Sequence, residues 1–508
     1  MGTLPLMENR GGNRMSRLVI LVVLAMALAF ALPDTTEAAS LDEIKKLTAS
    51  DAQAEDRLGV SVAVNGDTVV VGAEGDDDGG LWAGAAYVFQ RDEGAADNWG
   101  ETTKLTASDA QADDQFGVSV AVGDDIAVVG AYKEDAEGND AGAAYVFQRD
   151  EGGADNWGEV TKLTASNAQA GGRFGFSVAV SGDIAVVGAP SQNEGEGRAY
   201  VFRRDEGGAD TWGEVAKLTA LDAQFQDLFG WSVAVSGATV VVGADLEDAG
   251  GLDAGAAYVF RRDEGGADNW GEVKKLIASD AQAADTFGTG VAISGDTAVV
   301  GARTEDAGGS NAGAAYVFVR DQGGADNWGE VTKITASDAR PLDLFGRKVA
   351  LSGSTAVVGA RNADAGGSNA GAAYVFVRDE GGVDNWGEAK KLTASDAQAS
   401  DDFGISVAVS GGTVVVGAHN EDAGGNSAGA AYIFQEPLPP QTPTATNTST
   451  PTPPPPVGGI SLDSDLRVLP LETTGAGSAP WSIALGIVAA ACLIAVGGAA
   501  WYARRRHA

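Results

Sequence analysis

The chain has 508 residues, and its 71 acidic and 34 basic side chains give a net charge of −37. This charge argues against nucleic acid or an anionic lipid surface as a partner, because phosphate binding needs a basic surface. The single cysteine, Cys492, and the two histidines, His419 and His507, exclude an intrachain disulfide and a Cys/His zinc site.

The N-terminal segment has the layout of a secretory signal peptide. Arg14 and Arg17 precede an apolar run over residues 18–32, and the small residues Ala38 and Ala39 follow it. We therefore predict that residues 1–39 are a signal peptide. The alternative is a retained N-terminal anchor, for which the apolar run is short.

Residues 41–435 consist of one phrase repeated seven times. Its last aromatic residue occurs at intervals of 58, 55, 58, 58, 58 and 58 residues, namely at Phe89, Phe147, Phe202, Phe260, Phe318, Phe376 and Phe434. A fixed period of this length is typical of a repeat architecture and not of a series of unrelated domains.

Each unit contains four segments with strand character and no segment with a helical period. In the unit around residue 118, residues 118–122 alternate in polarity, a Gly-Asp-Asp turn follows, and residues 126–129 are apolar. The segments "GAAYVFQR" and "WGEVTKLTAS" come next, each after a polar loop. The sequence thus predicts an all-β fold.

The count of strands predicts how the chain closes. Segments of the "KLTAS" type occur seven times only if the first, residues 44–50, is included, and the seventh unit ends at Gln435 without such a segment. In a ring, the first strand completes the last blade. We therefore predict a seven-bladed β-propeller of four-stranded blades closed by the N-terminal strand. An open solenoid is the alternative, but it would leave long unpaired edges.

The C-terminal segments predict a membrane anchor. Residues 436–479 are a stalk and linker, rich in proline and threonine at their start. Residues 481–502 are uncharged and exceed the roughly 20 residues that span a bilayer, which predicts one transmembrane helix. The basic tail, residues 503–508, would remain cytoplasmic, so the predicted location is the cell membrane with the propeller outside. The stretch "LPLETTG" suggests a sortase signal instead, but two extra residues interrupt that pattern.

The units resemble the FG-GAP repeat, the blade unit of integrin α-chain propellers and of many bacterial surface proteins. The Phe-Gly and Gly-Ala pairs carry the resemblance, as in Phe116-Gly117 with Gly130-Ala131 and Phe174-Gly175 with Gly188-Ala189-Pro190. The resemblance implies a seven-bladed propeller. Leu58-Gly59 departs from the pattern, and a short turn replaces the calcium loop of integrins between the first two strands, so those calcium sites are not expected here.

Polar loops between the second and third strands are the candidate metal sites. They combine carboxylates, amides and glycines, which suit the oxygen ligands of Ca²⁺. Ordinary Asp/Gly turns are the alternative, because the spacing matches no complete EF-hand. The candidate ligands are Asp76, Asp78, Asp135, Asp140, Asp248, Asp253, Asp306 and Asp422.

Positions where the units differ are the candidate binding site. Residues directly after Gly-Ala and directly after Phe-Gly vary strongly, and antiparallel pairing of the first two strands puts both sets on one rim. Arg and aromatic side chains are common interface anchors, although drift on an exposed edge is an equal alternative. The predicted rim residues are Glu74, Tyr132, Phe176, Trp231, Asp245, Arg303, Arg347, Lys348, Arg361 and His419.

These observations favour a non-enzymatic protein that binds an extracellular protein or glycan through the rim. The six repeated tryptophans, such as Trp157, favour core packing over sugar stacking, because they recur at one equivalent position. Ser/His/Asp catalysis lacks a base other than His419 outside the predicted tail. A structural cell-envelope role and a polysaccharide-cleaving enzyme that uses only carboxylates are the alternative functions.

Overall fold

The computed structural model describes residues 41–94, 98–153, 155–208, 211–380, 382 and 385–435. The predicted signal peptide, stalk, transmembrane helix and basic tail lie outside these residues. Within the described ranges, no helix has the length and apolar character needed to cross a membrane.

The described part of the chain forms 28 strands. The first, β1, spans Asp42–Leu47. Blades 1 to 3 contain β2 (Leu58–Asn65), β3 (Thr68–Ala73), β4 (Ala85–Arg91), β5 (Trp99–Leu105), β6 (Phe116–Val122), β7 (Ile126–Ala131), β8 (Ala143–Arg149), β9 (Trp157–Leu163), β10 (Ser177–Ser181), β11 (Ile184–Ala189), β12 (Arg198–Arg204) and β13 (Trp212–Leu218). Blades 4 and 5 contain β14 (Ser232–Ser236), β15 (Thr239–Ala244), β16 (Ala256–Arg262), β17 (Trp270–Leu276), β18 (Phe287–Ser294), β19 (Thr297–Ala302), β20 (Ala314–Val319) and β21 (Gly329–Ile334). Blades 6 and 7 contain β22 (Val349–Ser352), β23 (Thr355–Ala360), β24 (Ala372–Arg378), β25 (Trp386–Leu392), β26 (Ser406–Ser410), β27 (Thr413–Ala418) and β28 (Ala430–Gln435).

The strands form seven antiparallel four-stranded sheets arranged as a ring. Six sheets follow chain order, and the seventh has the order β1-β28-β27-β26. The innermost strands of consecutive blades contact one another, and β26 contacts β2, which closes the ring. The predicted all-β, seven-bladed propeller and its closure by the N-terminal strand are confirmed.

The hydrophobic core lies between the blades. Each of the seven buried clusters combines residues of two neighbouring sheets, as where Leu105 of blade 1 packs with Phe116 and Tyr145 of blade 2. The ring of Phe116 contacts Tyr145 edge-on, with 5.5 Å between the centroids. The repeated tryptophans belong to these clusters, and Trp157 is 4% exposed, so their predicted role in core packing is confirmed.

The Phe-Gly and Gly-Ala pairs allow the backbones of neighbouring blades to touch. A Cβ on Gly130 would lie only 1.9 Å from the carbonyl oxygen of Gly175 in the next blade. Gly175 itself has φ +91°, a conformation that residues with side chains rarely adopt. A hydroxyl fastens the same contact, since Ser119 Oγ donates a hydrogen bond of 3.3 Å to Gly175 O. The two glycines of the repeat are therefore needed at the same contact between blades.

A second set of links joins the outer edges of the blades. Glu101 of β5 accepts hydrogen bonds from the backbone N–H and the hydroxyl of Ser50, both at 2.8 Å. Glu43 of β1 makes the same pair of bonds with Ser395 of blade 6, at 2.8 and 2.9 Å. The N-terminal segment thus contributes to the outer links on both sides of blade 7.

We predict that Leu47→Ala strongly destabilises the propeller, because Leu47 is only 1% exposed and lies in the cluster between blades 7 and 1. Truncation of a buried leucine costs about 2–5 kcal/mol in the free energy of unfolding. Urea unfolding measures the change. Ile44→Ala on the same strand is the control, since Ile44 is 43% exposed and its truncation should cost little. Equal unfolding midpoints for the two variants would contradict the role of β1 in closing the core.

Candidate binding site at the channel mouth

A channel runs between the innermost strands of all seven blades. It encloses a cavity of about 130 Å³, lined at one equivalent position by Ser61, Ser119, Ser177, Ser232, Gly290, Lys348 and Ser406. The residue before each of these belongs to the variable set that follows Phe-Gly: Val60, Val118, Phe176, Trp231, Thr289, Arg347 and Ile405. We call the end of the channel at which these variable residues lie the channel mouth.

Three aromatic residues of the predicted rim are in contact along the mouth. Tyr132 and Phe176 meet edge-on, with 5.6 Å between their ring centroids, and the rings of Phe176 and Trp231 are 4.6 Å apart. The guanidinium of Arg303 lies 5.8 Å from the centroid of Trp231, and Arg303 also donates a 3.1 Å hydrogen bond to Thr289 Oγ1. The aromatic side chains and Arg303 thus form one continuous surface across blades 2 to 5.

Charged residues continue this surface through blades 4 to 7. Arg303 lies 3.5 Å from Asp245, and Arg361 lies 3.9 Å from Asp402. His419 Nε2 lies 3.7 Å from the same carboxylate of Asp402. These separations are long for ion pairs, so the cations of the mouth are only partly neutralised by neighbouring acids.

Glu74 lies on blade 1 and pairs with an arginine beside it. Arg57 Nη1 is 3.4 Å from Glu74 Oε1, and the guanidinium of Arg57 also stacks on Trp82 at 4.4 Å. Burial raises the pKa of Glu74, and the nearby charge of Arg57 opposes that rise. All ten predicted rim residues therefore lie at the mouth or, in the case of Lys348, on the channel wall just inside it.

Burial perturbs the titration of the mouth residues. It raises the pKa of Asp245 to about 6, against the opposing effect of Arg303. Burial, followed by the charges of Arg361 and Arg303, lowers the pKa of Arg347 to about 10. Burial and the charges of Arg57, Arg361 and Arg347 lower the pKa of His419 to about 3, so His419 is neutral at pH 7. The positive potential at the mouth therefore comes from the arginines and Lys348.

Sequence reasoning missed Asp402 and Arg57 as members of this site. Both directly precede the Phe-Gly or Leu-Gly pair, and the equivalent residues in the other units also vary: Gln115, Arg173, Leu228, Thr286 and Leu344. Their position could have been found by extending the comparison of units one residue towards the N-terminus. The contact of Asp402 and Arg57 with the rim could not have been predicted from the sequence, because the backbone at this position has φ near +60°, which the sequence does not indicate.

Acidic loops and lysine clusters

The acidic loops of the structure are occupied by lysine side chains. Lys104 Nζ lies 2.8 Å from Asp51, 2.8 Å from Asp76 and 2.5 Å from Asp78. These three carboxylates lie close enough together to hold a metal ion. Tyr87 donates hydrogen bonds to Asp51 and Asp76 at 2.8 and 2.7 Å. The repeated lysine before "L-T-A-S" marks these clusters in the sequence.

The remaining candidate calcium ligands lie in turns of similar design. Asp135 Oδ1 accepts a 2.7 Å hydrogen bond from the backbone N–H of Asp140, and Asp248 accepts one of 2.9 Å from Asp253. Asp306 and Asp422 accept equivalent bonds of 2.8 Å from the residues five positions later. Each of these four carboxylates uses one oxygen to hold its loop, and calcium binding remains a prediction.

A thermal melt with calcium and with a chelator tests that prediction. Calcium bound only by folded loops would raise the Tm relative to the chelated protein. The variant Lys104→Gln should strengthen the effect, because it removes the ammonium from Asp51, Asp76 and Asp78. If neither protein shows a calcium-dependent Tm, these loops are turns without a metal.

A buried aspartate supports the turn that enters most blades. Asp56, Asp114 and Asp227 accept hydrogen bonds of 2.6–2.7 Å from the backbone N–H three residues earlier. Burial raises the pKa of each of the three from 3.8 to about 6. By contrast, hydrogen bonds from Lys162 and Tyr145 outweigh burial at Asp109 and hold its pKa below the ordinary value.

We predict that stability rises as the pH falls from 7 to about 5 and declines below about 4. A raised carboxyl pKa means that the folded state binds the proton more tightly, so Asp56, Asp114 and Asp227 favour folding as they protonate. Carboxyls with lowered pKa, such as Asp109, lose their contribution at lower pH. The Tm measured across this range should have its maximum on the acid side of neutrality.

The triple variant Asp56→Asn, Asp114→Asn, Asp227→Asn should flatten the rise between pH 7 and 5. Its amide oxygens can still accept the same backbone hydrogen bonds. Asp113→Asn, at an exposed neighbour of Asp114, is the control and should keep the slope of the unmodified protein. An unchanged slope in the triple variant would contradict the assignment to these aspartates.

The propeller sequence matches the model of a known protein family. The family model described as FG-GAP repeat matches seven segments, which together cover more than half of the chain: residues 41–89, 99–147, 157–202, 212–260, 270–318, 328–376 and 386–434. No curated protein matches the sequence. Each matched segment starts with the outer strand of one blade and ends in the third strand of the next, in agreement with the observed closure. The chain belongs to the FG-GAP repeat family.

Proposed function

We propose that this protein is a cell-surface propeller that binds an extracellular protein or glycan, without catalysing a reaction, through the channel mouth. One observation carries the proposal: many of the side chains that differ between otherwise near-identical units contact one another around one end of the channel. Aromatic contacts connect Tyr132, Phe176 and Trp231, and Arg303 joins them to the charged part. The composition of this surface, with arginine beside aromatic rings, supports binding more than it supports surface drift.

The chemistry of the mouth supports recognition more than catalysis. Its arginines and aromatic rings are the residue types that contribute most to binding free energy at interfaces. His419 is neutral at pH 7 because of its lowered pKa, yet its Nδ1 is buried. Among the described residues, its recorded neighbours are the charged Arg361 and Asp402, and none is a nucleophilic hydroxyl or thiol. The predicted C-terminal transmembrane helix would hold the propeller at the outer face of the membrane.

An array of glycans and extracellular matrix proteins, probed with the full-length chain, tests the proposal. Attachment to at least one class of surface is expected. Trp231→Ala and Arg347→Ala should each weaken it by about tenfold or more, as expected for residues at the centre of an interface. Arg347 is suited to this test because it forms no ion pair within the described residues and stands near the like charges of Arg361 and Arg303, so its loss should not lower the Tm.

Lys217→Ala is the matched control for loss of a positive charge. Lys217 is exposed on the outer strand of blade 3, so its replacement by alanine should have no effect on attachment. An empty array, or attachment that all three variants retain, would defeat the binding role. Self-association of the propeller without any ligand would favour the structural alternative instead.

A further inference from the structure

The wall of the channel has a regular ring of hydroxyl links that is broken at two adjacent blades. In five blades the serine at the equivalent position donates to the carbonyl of the glycine in the next blade, for example Ser61 to Gly117 at 2.7 Å and Ser232 to Gly288 at 2.7 Å. Blade 5 has Gly290 and blade 6 has Lys348 at this position. Neither can make the hydroxyl link, so both depart from the packing of the other five.

The two departures are coupled in space. A Cβ on Gly290 would lie 2.9 Å from the carbonyl oxygen of Arg347 and 3.3 Å from the Cα of Lys348. A serine at position 290 would therefore crowd the backbone that carries Arg347 and Lys348. The glycine of blade 5 makes room for the two consecutive cations of blade 6.

Neither of these two cations has an acid within ion-pair distance among the described residues, although the charges of Asp245 and Asp402 act on Arg347. Among the described residues, the side chains of Arg347 and Lys348 form no ion pair and no hydrogen bond, and Arg347 Nε is buried without a partner. The side chain of Lys348 is exposed to the open space of the channel. The protein packed around the channel, together with the charges of Arg347 and Arg303, lowers the pKa of Lys348 to about 8. Repulsion between these cations disfavours the folded state. The lack of an ion pair is unusual in this chain, because its acidic residues outnumber its basic residues two to one.

We propose that Arg347 and Lys348 form an anion site in the channel mouth that binds one compact oxyanion, such as the carboxylate or sulfate group of an acidic sugar. Arg303 and Arg361 stand beside them and are only loosely paired, at 3.5 and 3.9 Å. A bound oxyanion would accept the hydrogen bonds that Arg347 lacks and would relieve the repulsion between the cations. This inference rests on the proposed function and names the group that the mouth recognises.

The size and surroundings of the site indicate a single anionic group. The channel cavity measures about 130 Å³, and the chain that forms it has a net charge of −37. A long polyanion would be repelled by this negative charge. For one carboxylate or sulfate, the cations in this part of the mouth (Arg303, Arg347, Lys348 and Arg361) outnumber the acids Asp245 and Asp402. Trp231 on blade 4 and Phe176 on blade 3 offer apolar surface at the same mouth to an uncharged part of the ligand.

Isothermal titration of the full-length chain with sodium glucuronate, sodium sulfate and glucose tests the site. Saturable binding of glucuronate, of sulfate or of both is expected, with none for glucose. Lys348→Ser and Arg347→Gln should each weaken anion binding by about tenfold or more, which corresponds to the loss of one charge-assisted contact. Glucuronate binding without sulfate binding would identify the acidic sugar as the source, and binding of both would identify a general oxyanion site.

Lys348→Ser also separates a functional role from a structural one. It restores the residue of five other blades, and its hydroxyl should donate to Gly404 O as Ser406 does to Gly59 O at 2.7 Å. We therefore expect a Tm above that of the unmodified protein together with the loss of anion binding. Lys217→Ser, which removes an exposed charge on the outer strand of blade 3, should change neither the Tm nor the anion affinity.

Two results would overturn the anion site: no saturable binding of either anion, or equal affinity in the Lys348→Ser variant. Both are distinct from failure of the proposed function. Attachment to an array surface that persists in Lys348→Ser would leave the binding role intact and remove only the anion. Anion binding in a protein that attaches to no surface would leave the site intact and remove only the adhesive role.

Discussion

The close contact between the backbones of neighbouring blades is the constraint on which the rest of this propeller depends. A glycine at the end of the second strand faces the carbonyl of the glycine that opens the next blade, and a Cβ on the first would lie 1.8–2.1 Å from that oxygen in all seven places. Such an approach excludes every side chain. Because the inner strands come this close, the aromatic residues of the third and fourth strands can fill the wider space between blades further out.

Closure turns this local contact into a ring. The sequence unit and the blade are offset by one strand, since each matched segment begins with the outer strand of the preceding blade. The first unit can therefore give β1 to blade 7, where it pairs with β28. Glu43 and Ser50 on that segment repeat the links found at the outer edges of other blades, so the junction of the two chain ends has the same interactions as the other blade contacts.

Residues that depart from the repeated pattern fall into two kinds, according to whether a neighbouring residue compensates for the change. Some are compensated: Asn167 replaces an aspartate in blade 3, and Gln192 replaces the partner acid and donates a 2.7 Å hydrogen bond to the Asn167 carbonyl. Others are not compensated, and Lys348 with Arg347 is the clearest case, because neither cation forms an ion pair with any residue that the structure describes. Serine stands at the position of Lys348 in five of the seven blades, so an uncompensated charge in its place suggests a ligand more than drift.

The sequence by itself determined the strands, their number and the closure of the ring. Three features carry this information: the period of the repeat, the two-residue alternation and the additional first strand. They do so because the geometry of a blade requires the same residue types in every blade. It also located the variable rim, since antiparallel pairing of the first two strands puts Arg303 and Trp231 on one edge. These properties are local or repeated, so one chain displays them several times.

Only the tertiary structure decided which variable residues meet and what neutralises each charge. Asp402 lies at the mouth because its backbone has a left-handed conformation, which the sequence does not indicate. Lys104 came to lie among Asp51, Asp76 and Asp78, which are separated from it by 26 to 53 positions, and so gave the acidic loop a cation from within the protein. That Lys348 has no such partner within the described part of the chain was equally invisible in the sequence, because charge pairing depends on distances between blades that no local pattern encodes.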